Sequence, residues 1–258
     1  MNKAWVPFYI VIILGALTAR SARAAEDEIV TDRPGLVESS TTVAVGRWQL
    51  EAGSSWERQG GQRRHSTPLL LRAGLAEDWE LRLETDGAVS QRGGGERISG
   101  WADGALGLKW HWQDGDAASG RPGLAFLLHL DADSGSADFR GKGWRPSLRL
   151  TAEWELPADL SLGVIGGLCR DHNAAGQSYT GGIFGASLGW PLARDWRAYV
   201  ELAGEQLAAS RNGGKQASVG GGLTWLLSPR LQLDASLNRG LNRQTADRVW
   251  GLGLSLGF

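Results

Sequence analysis

Hydrophobic and polar residues alternate along most of the chain from residue 48 onward. At the start of this region Trp48, Leu50 and Ala52 fall on one face, while Gln49 and Glu51 fall on the other. An alternation of period two predicts β-strands with one apolar and one polar face. Twelve such segments follow one another, with apolar faces that begin at Trp48, Leu69, Trp79, Leu106, Leu124, Leu148, Leu160, Phe184, Trp196, Ala217, Leu231 and Trp250. An even number of strands of this length predicts an all-β, antiparallel up-and-down transmembrane barrel.

The connections between these segments alternate between short and long. The short ones are predicted at 76–78, 157–159, 191–195 and 228–230. The long polar ones are predicted at 58–65, 87–97, 133–143, 171–177, 206–215 and 240–247. Short periplasmic turns and long external loops are typical of outer-membrane barrels, so both ends of the barrel chain are expected in the periplasm. The link 111–122 departs from the pattern because it should be short and is rather long.

Tryptophan placement is a second indication of a membrane barrel. Eight of the 13 tryptophans fall on the apolar face near one end of a strand: Trp48, Trp79, Trp110, Trp112, Trp154, Trp190, Trp196 and Trp225. Trp56, Trp144 and Trp250 fall near the opposite end, and the alternation directs Trp101 inward. Indole rings prefer the bilayer interface, so this distribution predicts two aromatic belts. Tryptophan filling the core of a soluble sandwich is the alternative, but such residues would not gather at strand ends.

The polar faces must then line the lumen, because the reverse orientation would place about a dozen charges in lipid at roughly 2–4 kcal/mol for each basic one. The predicted lumen-lining cluster, and the candidate constriction, consists of Glu51, Arg72, Arg82, Glu84, Asp103 and Lys109. An ion-pair network that only stiffens the barrel is the alternative reading of these charges.

The first residues resemble an export signal. Lys3 precedes an apolar stretch at 6–17, which is short for a bilayer span, and Ala22-Arg23-Ala24 fits a cleavage site. The predicted domains are therefore a signal peptide at 1–24, a periplasmic leader or small plug at 25–44 that contains Asp32-Arg33-Pro34, and the barrel at 45–258. A membrane anchor is the alternative for the first segment, and a disordered leader for the second.

Composition excludes several classes of function. The chain has 28 acidic residues against 27 Lys and Arg, without a basic tract, so nucleic acid is not an expected partner. A lone cysteine, Cys169, excludes internal disulfides and cysteine-based zinc sites. The acidic residues Asp131, Asp133 and Asp138 lack a calcium-binding loop with a closing Glu. No metal or other cofactor is predicted.

An enzymatic function is not predicted either. A lipid hydrolase would need a histidine and a serine facing the outer leaflet. His65 and His172 are expected in external loops, His111 at the periplasmic end and His129 inside, and no G-x-S-x-G elbow occurs.

Several short motifs occur in a familiar order: Thr31-Asp-Arg-Pro-Gly35, Val45-Gly46-x-Trp48-Gln49-x-Glu51-x-Gly53, Pro68-Leu-Leu-Leu-Arg72-x-Gly74, Trp79-Glu-Leu-Arg82, Asp103-x-x-Leu106-Gly107-x-Lys109 and Gln232-Leu-Asp234. Together they resemble the outer-membrane transporter-like family labelled "putative MetA-pathway of phenol degradation". The resemblance implies an outer-membrane barrel linked to uptake of aromatic or other apolar small molecules. The terminal Phe258 also resembles the signal read by the barrel-assembly machinery.

The predicted function is an outer-membrane channel or transporter for small solutes, with aromatic or apolar compounds among the candidates. Its expected partners are outer-membrane lipid, the assembly machinery and the solute. A structural or adhesive barrel without transport is the first alternative, and an outer-membrane lipid hydrolase is the less favoured one.

Overall fold

The computed structural model describes residues 28–173 and 175–258, so the predicted signal peptide at 1–24 lies outside the described residues. The described chain forms fifteen β-strands: β1 (Trp48–Gln59), β2 (Gln62–Ser66), β3 (Leu69–Ala76), β4 (Trp79–Thr85), β5 (Ala88–Gly93), β6 (Glu96–Trp101), β7 (Gly104–Gln113), β8 (Gly123–Asp131), β9 (Arg145–Leu156), β10 (Leu160–His172), β11 (Ser178–Ala193), β12 (Trp196–Leu207), β13 (Lys215–Ser228), β14 (Leu231–Gly240) and β15 (Arg248–Gly257). Two 3-10 turns lie at Pro157–Asp159 and Ser210–Asn212. No helix among these residues is long and apolar enough to cross a bilayer.

Three pairs of these strands each form one interrupted barrel strand. The interruptions fall between β2 and β3 at Thr67-Pro68, between β4 and β5 at Asp86-Gly87, and between β6 and β7 at Ala102-Asp103. Proline has no N–H to give to a ladder, and Gly87 adopts a positive φ of 66°. The result is a twelve-stranded antiparallel barrel, closed where β1 pairs with β15. The predicted all-β barrel is therefore confirmed.

Burial in this barrel is inverted relative to a water-soluble domain. Arg72, Glu80, Arg82 and Lys109 are at most 1 % exposed, whereas Leu168 on the opposite face is 62 % exposed. In soluble proteins such charged residues are almost never fully buried. The apolar faces thus form the outer wall and the charged faces line the lumen, as the alternation predicts.

One end of the barrel carries tight connections, and we call it the short-turn end. Turns at 77–78, 157–159, 194–195 and 229–230 lie there, close to their predicted positions. The longer link at 114–122 lies at the same end and is confirmed as the exception to the pattern. Stacked indoles mark this end, with ring centroids 5.6 Å apart for Trp79 and Trp110 and 4.9 Å apart for Trp196 and Trp225.

The opposite, long-loop end differs from the prediction in two places. The expected loops at 58–65 and 87–97 are mostly strand, since β1 turns into β2 at Gly60-Gly61 and β5 turns into β6 at Gly94-Gly95. All four glycines have positive φ, which allows tight hairpins in place of loops. The sheet β1-β2-β5-β6 therefore continues beyond the barrel, and β6 is its last strand.

Two residues of these hairpins therefore lie at positions that differ from those predicted from the sequence. Trp101 is opposite Ala88, is 59 % exposed and shares the outward face, so its predicted inward direction is wrong. The interruption at 102–103 shifts the alternation by one residue between β6 and β7. His65 lies in β2 rather than in a loop, and its ring packs 5.3 Å from that of Trp56 on the outward face.

Candidate functional site

Residues 28–44, which we call the N-terminal segment, run into the lumen before β1 begins. Asp32, Glu38, Ser39 and Ser40 are all at most 6 % exposed. Partners of the segment come from strands around the barrel, among them β1, β9, β12 and β14, and β1 and β9 lie on opposite sides. The segment therefore crosses the lumen rather than lying along one wall.

Asp32 is held by three cations of the wall. Its carboxylate lies 2.5 Å from Arg82 Nη1, 3.0 Å from Lys109 Nζ and 3.5 Å from Arg72 Nη1. These side chains project inward from the adjacent barrel strands β3, β4 and β7. Burial alone would raise the pKa of Asp32, but the charges of the three cations outweigh it and hold the pKa well below its ordinary value. Asp32 is therefore ionised at neutral pH.

The same cations also bind carboxylates of the wall. Arg72 Nε lies 2.9 Å from Glu80 and Arg72 Nη1 lies 3.1 Å from Glu51, while Arg82 Nη1 lies 3.0 Å from Glu80. The structure thus brings together four of the predicted residues: Glu51, Arg72, Arg82 and Lys109. It adds Glu80, which the alternation directs inward but which sequence reasoning leaves out of the cluster.

Two further charges of the segment meet opposite charges of the wall. Glu38 lies 3.1 Å from both Arg82 and Arg149. Arg33 lies 3.2 Å from Asp234 on β14. The segment and the lumen are therefore complementary in charge at three separate points.

Glutamates of the wall also hold the segment through its main chain. Four of them accept hydrogen bonds from backbone N–H groups: Glu51 from Asp32 and Arg33, Glu201 from Leu36 and Val37, Glu153 from Ser40, and Glu80 from Val43. The distances to Glu201 are both 2.9 Å, and that to Glu80 is 2.8 Å. Hydrogen bonds to an ionised acceptor are roughly twice as strong as neutral ones. In the N-terminal segment these bonds take the place of the backbone hydrogen bonds that a neighbouring strand would otherwise provide.

The remaining predicted residues lie farther toward the long loops. Glu84 Oε2 lies 2.8 Å from His129 Nδ1 and its side chain is 32 % exposed to the lumen. Asp103 lies between β6 and β7, where it binds Arg145 at 2.6 Å and accepts the N–H groups of Gly135 and Gly141. Asp103 therefore holds the loop after β8 and does not join the cluster around Asp32.

An open cavity of about 580 Å³ lies between the segment and the long-loop end, and we call it the vestibule. Glu84, Asp103, His129, Arg145, Arg149 and Pro34 contribute to its lining. Charges of both signs thus surround a space of the size that small ligands occupy, which is about 300–1,000 Å³.

Sequence reasoning misses the parts of this site that depend on the segment. Asp32, Glu38 and the backbone amides receive no role from strand alternation, because the segment is not a strand. One feature of the sequence does indicate the segment's role: the charged motif Thr31-Asp-Arg-Pro-Gly35 precedes a barrel whose lumen carries both signs of charge.

Histidine and serine side chains meet at the long-loop end without completing a hydrolase triad among the described residues. Ser178 Oγ lies 3.0 Å from His172 Nε2, but His172 Nδ1 has no hydrogen-bond partner. The register places Ser90 opposite His65 on the outward face, where the sequence predicts no histidine. Neither of these two side chains makes a hydrogen bond within the described chain. An activated nucleophile needs both an adjacent base and a group that orients it.

A closed barrel with an apolar outer wall and a charged lumen is the architecture of outer-membrane barrel proteins. The COG4313 outer membrane channel from Pseudomonas putida F1 has the same fold, with a TM-score of 0.63 and 14% identity over 87% of this chain and 99% of that one. The KdgM porin, in complex with disordered oligogalacturonate, has a TM-score of 0.54 and 12% identity over 81% of this chain and 99% of that one. The NanC porin has a TM-score of 0.53 and 11% identity over 80% of this chain and 98% of that one.

The sequence itself assigns the family. The chain belongs to the family described as "Putative MetA-pathway of phenol degradation", whose profile matches residues 31–258. The match begins within the N-terminal segment, at Thr31, and so includes Asp32 as well as the barrel. A search of curated protein sequences found no significant match.

Proposed function

We propose that this protein is a channel of the bacterial outer membrane that admits small solutes and is closed by its own N-terminal segment. One observation carries the proposal: the lumen is occupied at Asp32 by a piece of chain that is attached to the wall through ion pairs and hydrogen bonds. Such contacts can break and re-form, whereas strands of the wall cannot leave without opening the barrel. The segment is therefore the movable part of the pathway.

The vestibule supports a proposal about the class of solute. Arg145, Arg149 and His129 offer hydrogen-bond donors, while Leu70 and Phe139 offer apolar surface. A small aromatic compound that carries a hydroxyl or carboxyl group matches both kinds of lining. This class also agrees with the family description, which names phenol.

The proposed orientation places the short-turn end, the N-terminal segment and Phe258 in the periplasm. Short periplasmic turns and aromatic belts at both interfaces are habits of outer-membrane barrels and support this orientation. Residues 1–24 would be removed as a signal peptide on export. Phe258, whose N–H donates to Trp48 O at 2.8 Å, would serve as the signal for the assembly machinery.

Planar-bilayer conductance and liposome swelling with the purified protein test the proposal. We expect conductance together with swelling that depends on the solute, faster for phenol derivatives than for disaccharides of greater size. A barrel that gives neither signal would instead be a structural or adhesive protein. Release of fatty acid from the liposomes, measured in the same samples, would reveal a hydrolase and contradict the proposal.

Arg72→Ala is expected to shift ion selectivity toward cations. Removal of this guanidinium leaves Glu51, Glu80 and Asp32 with less positive charge beside the pathway. Arg63→Ala, on the outward face of β2, is the matched control and should leave the reversal potential unchanged. Equal shifts of the reversal potential in the two variants would show that the cluster does not line the ion pathway.

A further inference from the structure

Five arginines form a row across the outward face of the sheet at the long-loop end. The register places Arg58 of β1 opposite Arg248 of β15 on one side and opposite Arg63 of β2 on the other. Arg92 of β5 lies opposite Arg63, and Arg97 of β6 lies opposite Arg92. Neighbouring strands are about 4.8 Å apart, so five guanidinium groups follow one another over roughly 19 Å.

This arginine row has no acidic counterpart in the described chain. None of the five arginines forms a salt bridge there, and Glu57 and Arg64, which do pair with each other, lie on the opposite face. Among the described residues, the row is stabilised by a cation–π contact, with Arg58 5.3 Å above the ring centre of Trp250. Like charges placed directly opposite each other across strands are destabilising. Four successive pairings of this kind indicate that the surface is built for an anion.

The position of the row points to a lipid. Trp56 and Trp250 are paired one step below it on the same face, at the level where indoles mark the membrane interface. An open groove of about 800 Å³ follows the row, with Trp56, Trp250, Arg58, Arg63, Arg92 and Arg97 among its lining residues. Since that lining extends from β14 to β6, the sheet is concave toward the outside here. At this height the phosphates of a lipid headgroup would meet the arginines, and its sugar or acyl portions would contact the indoles.

We propose that the arginine row binds the headgroup of a lipid that carries more than one phosphate, in the leaflet at the long-loop end. Guanidinium groups bind phosphate oxygens in pairs, and five of them in a row exceed what one phosphate can use. The groove accommodates the remainder of the headgroup. This inference rests on the proposed membrane location but not on transport through the lumen.

Binding of diphosphoryl lipid A to the detergent-solubilised barrel, counted by native mass spectrometry, tests the proposal. The variant Arg63→Gln/Arg92→Gln/Arg97→Gln should bind on the order of a hundredfold more weakly, given about one factor of five per arginine at an anionic surface. The matched control, Arg47→Gln/Arg121→Gln/Arg194→Gln, removes three exposed arginines at the short-turn end and should bind like the wild type. Phosphatidylcholine should bind to none of the three proteins, and inorganic pyrophosphate at equal concentration should not displace the diphosphoryl lipid A.

Thermal unfolding of the same samples provides an independent measurement. Without lipid the triple variant should unfold at the same or a higher temperature than the wild type, because like-charge contacts are relieved. Equal lipid binding by the variant and the wild type would overturn the proposal, as would displacement by pyrophosphate. Should the triple variant fail to fold, Arg97→Gln on the edge strand β6 should still weaken binding several-fold, and no change would overturn the proposal. Lipid binding is measured in detergent and does not depend on conductance. A failure of the lipid-binding proposal is therefore distinguishable from a failure of the proposed channel function.

Discussion

The double substitution Val37→Cys and Gly163→Cys is expected to abolish conductance until a reductant is added. A Cβ placed on Gly163 lies 3.9 Å from the Cβ of Val37, which is close to the mean separation of about 3.8 Å in disulfides. Val37 belongs to the N-terminal segment, and Gly163 belongs to β10 of the wall. A disulfide between them would tie the segment to the wall covalently and remove the motion on which the proposed opening depends.

The native Cys169 must be replaced by serine in this experiment, since it lies on the same strand as Gly163. Val37→Cys alone in that background is the matched control and should conduct under oxidising and reducing conditions alike. Single-channel recording before and after addition of the reductant, with mass spectrometry to count the disulfide, gives the result. Conductance that persists in the oxidised double variant would mean that solutes pass beside a stationary segment.

Asp32→Asn should act in the opposite direction and increase conductance. The substitution keeps the shape of the side chain but leaves Arg72, Arg82 and Lys109 without their shared anion. Removing one partner of a buried ion pair costs about 3–5 kcal/mol, and even the lower figure shifts the closed-to-open ratio by roughly two orders of magnitude. Asp116→Asn, at the exposed link of the short-turn end, is the control and should conduct like the wild type.

The pH dependence of the wild type follows from the same carboxylate. Because the pKa of Asp32 is lowered in the folded protein, its contribution to attachment is complete above its unfolded pKa of about 4 and is lost as the pH falls through the lowered value. The contribution of Asp32 to wild-type closure should therefore be constant from neutral pH to about pH 4 and be lost only in stronger acid. The Asp32→Asn variant should conduct at neutral pH as the wild type does in acid. Protease cleavage within the segment, followed in parallel, should report the same release.

The barrel could be predicted from the sequence because alternation with a period of two is a local property. Trp48 and Glu51 reveal their opposite faces within a few residues, and the short turns follow directly from the breaks. The extended hairpins could not be predicted in the same way. Polar glycine-rich stretches such as 58–65 look like loops, and only pairing with the neighbouring hairpin makes them strands.

The site depends on contacts between residues that are far apart in the chain. Arg33 and Asp234 are separated by 201 positions, and nothing in either neighbourhood specifies the other. Sequence reasoning could place Arg82 in the lumen because its strand alternates. It could not predict that Arg82 would bind Asp32, since no period relates an irregular segment to the wall. Asp103 shows the same limit: alternation directs it to the lumen, whose vestibule it lines, but could not predict that it binds Arg145 and the loop after β8.

The hydrogen bonds that the N–H groups of Leu36 and Val37 donate to Glu201 have an evolutionary consequence. A main-chain amide is present whatever side chain the residue carries, so these anchors tolerate exchange at both positions. Relatives can therefore acquire different selectivity by substitution of residues 36 and 37 while the N-terminal segment stays bound to the wall. Diversity among them is expected to concentrate at those two positions and to spare Glu201.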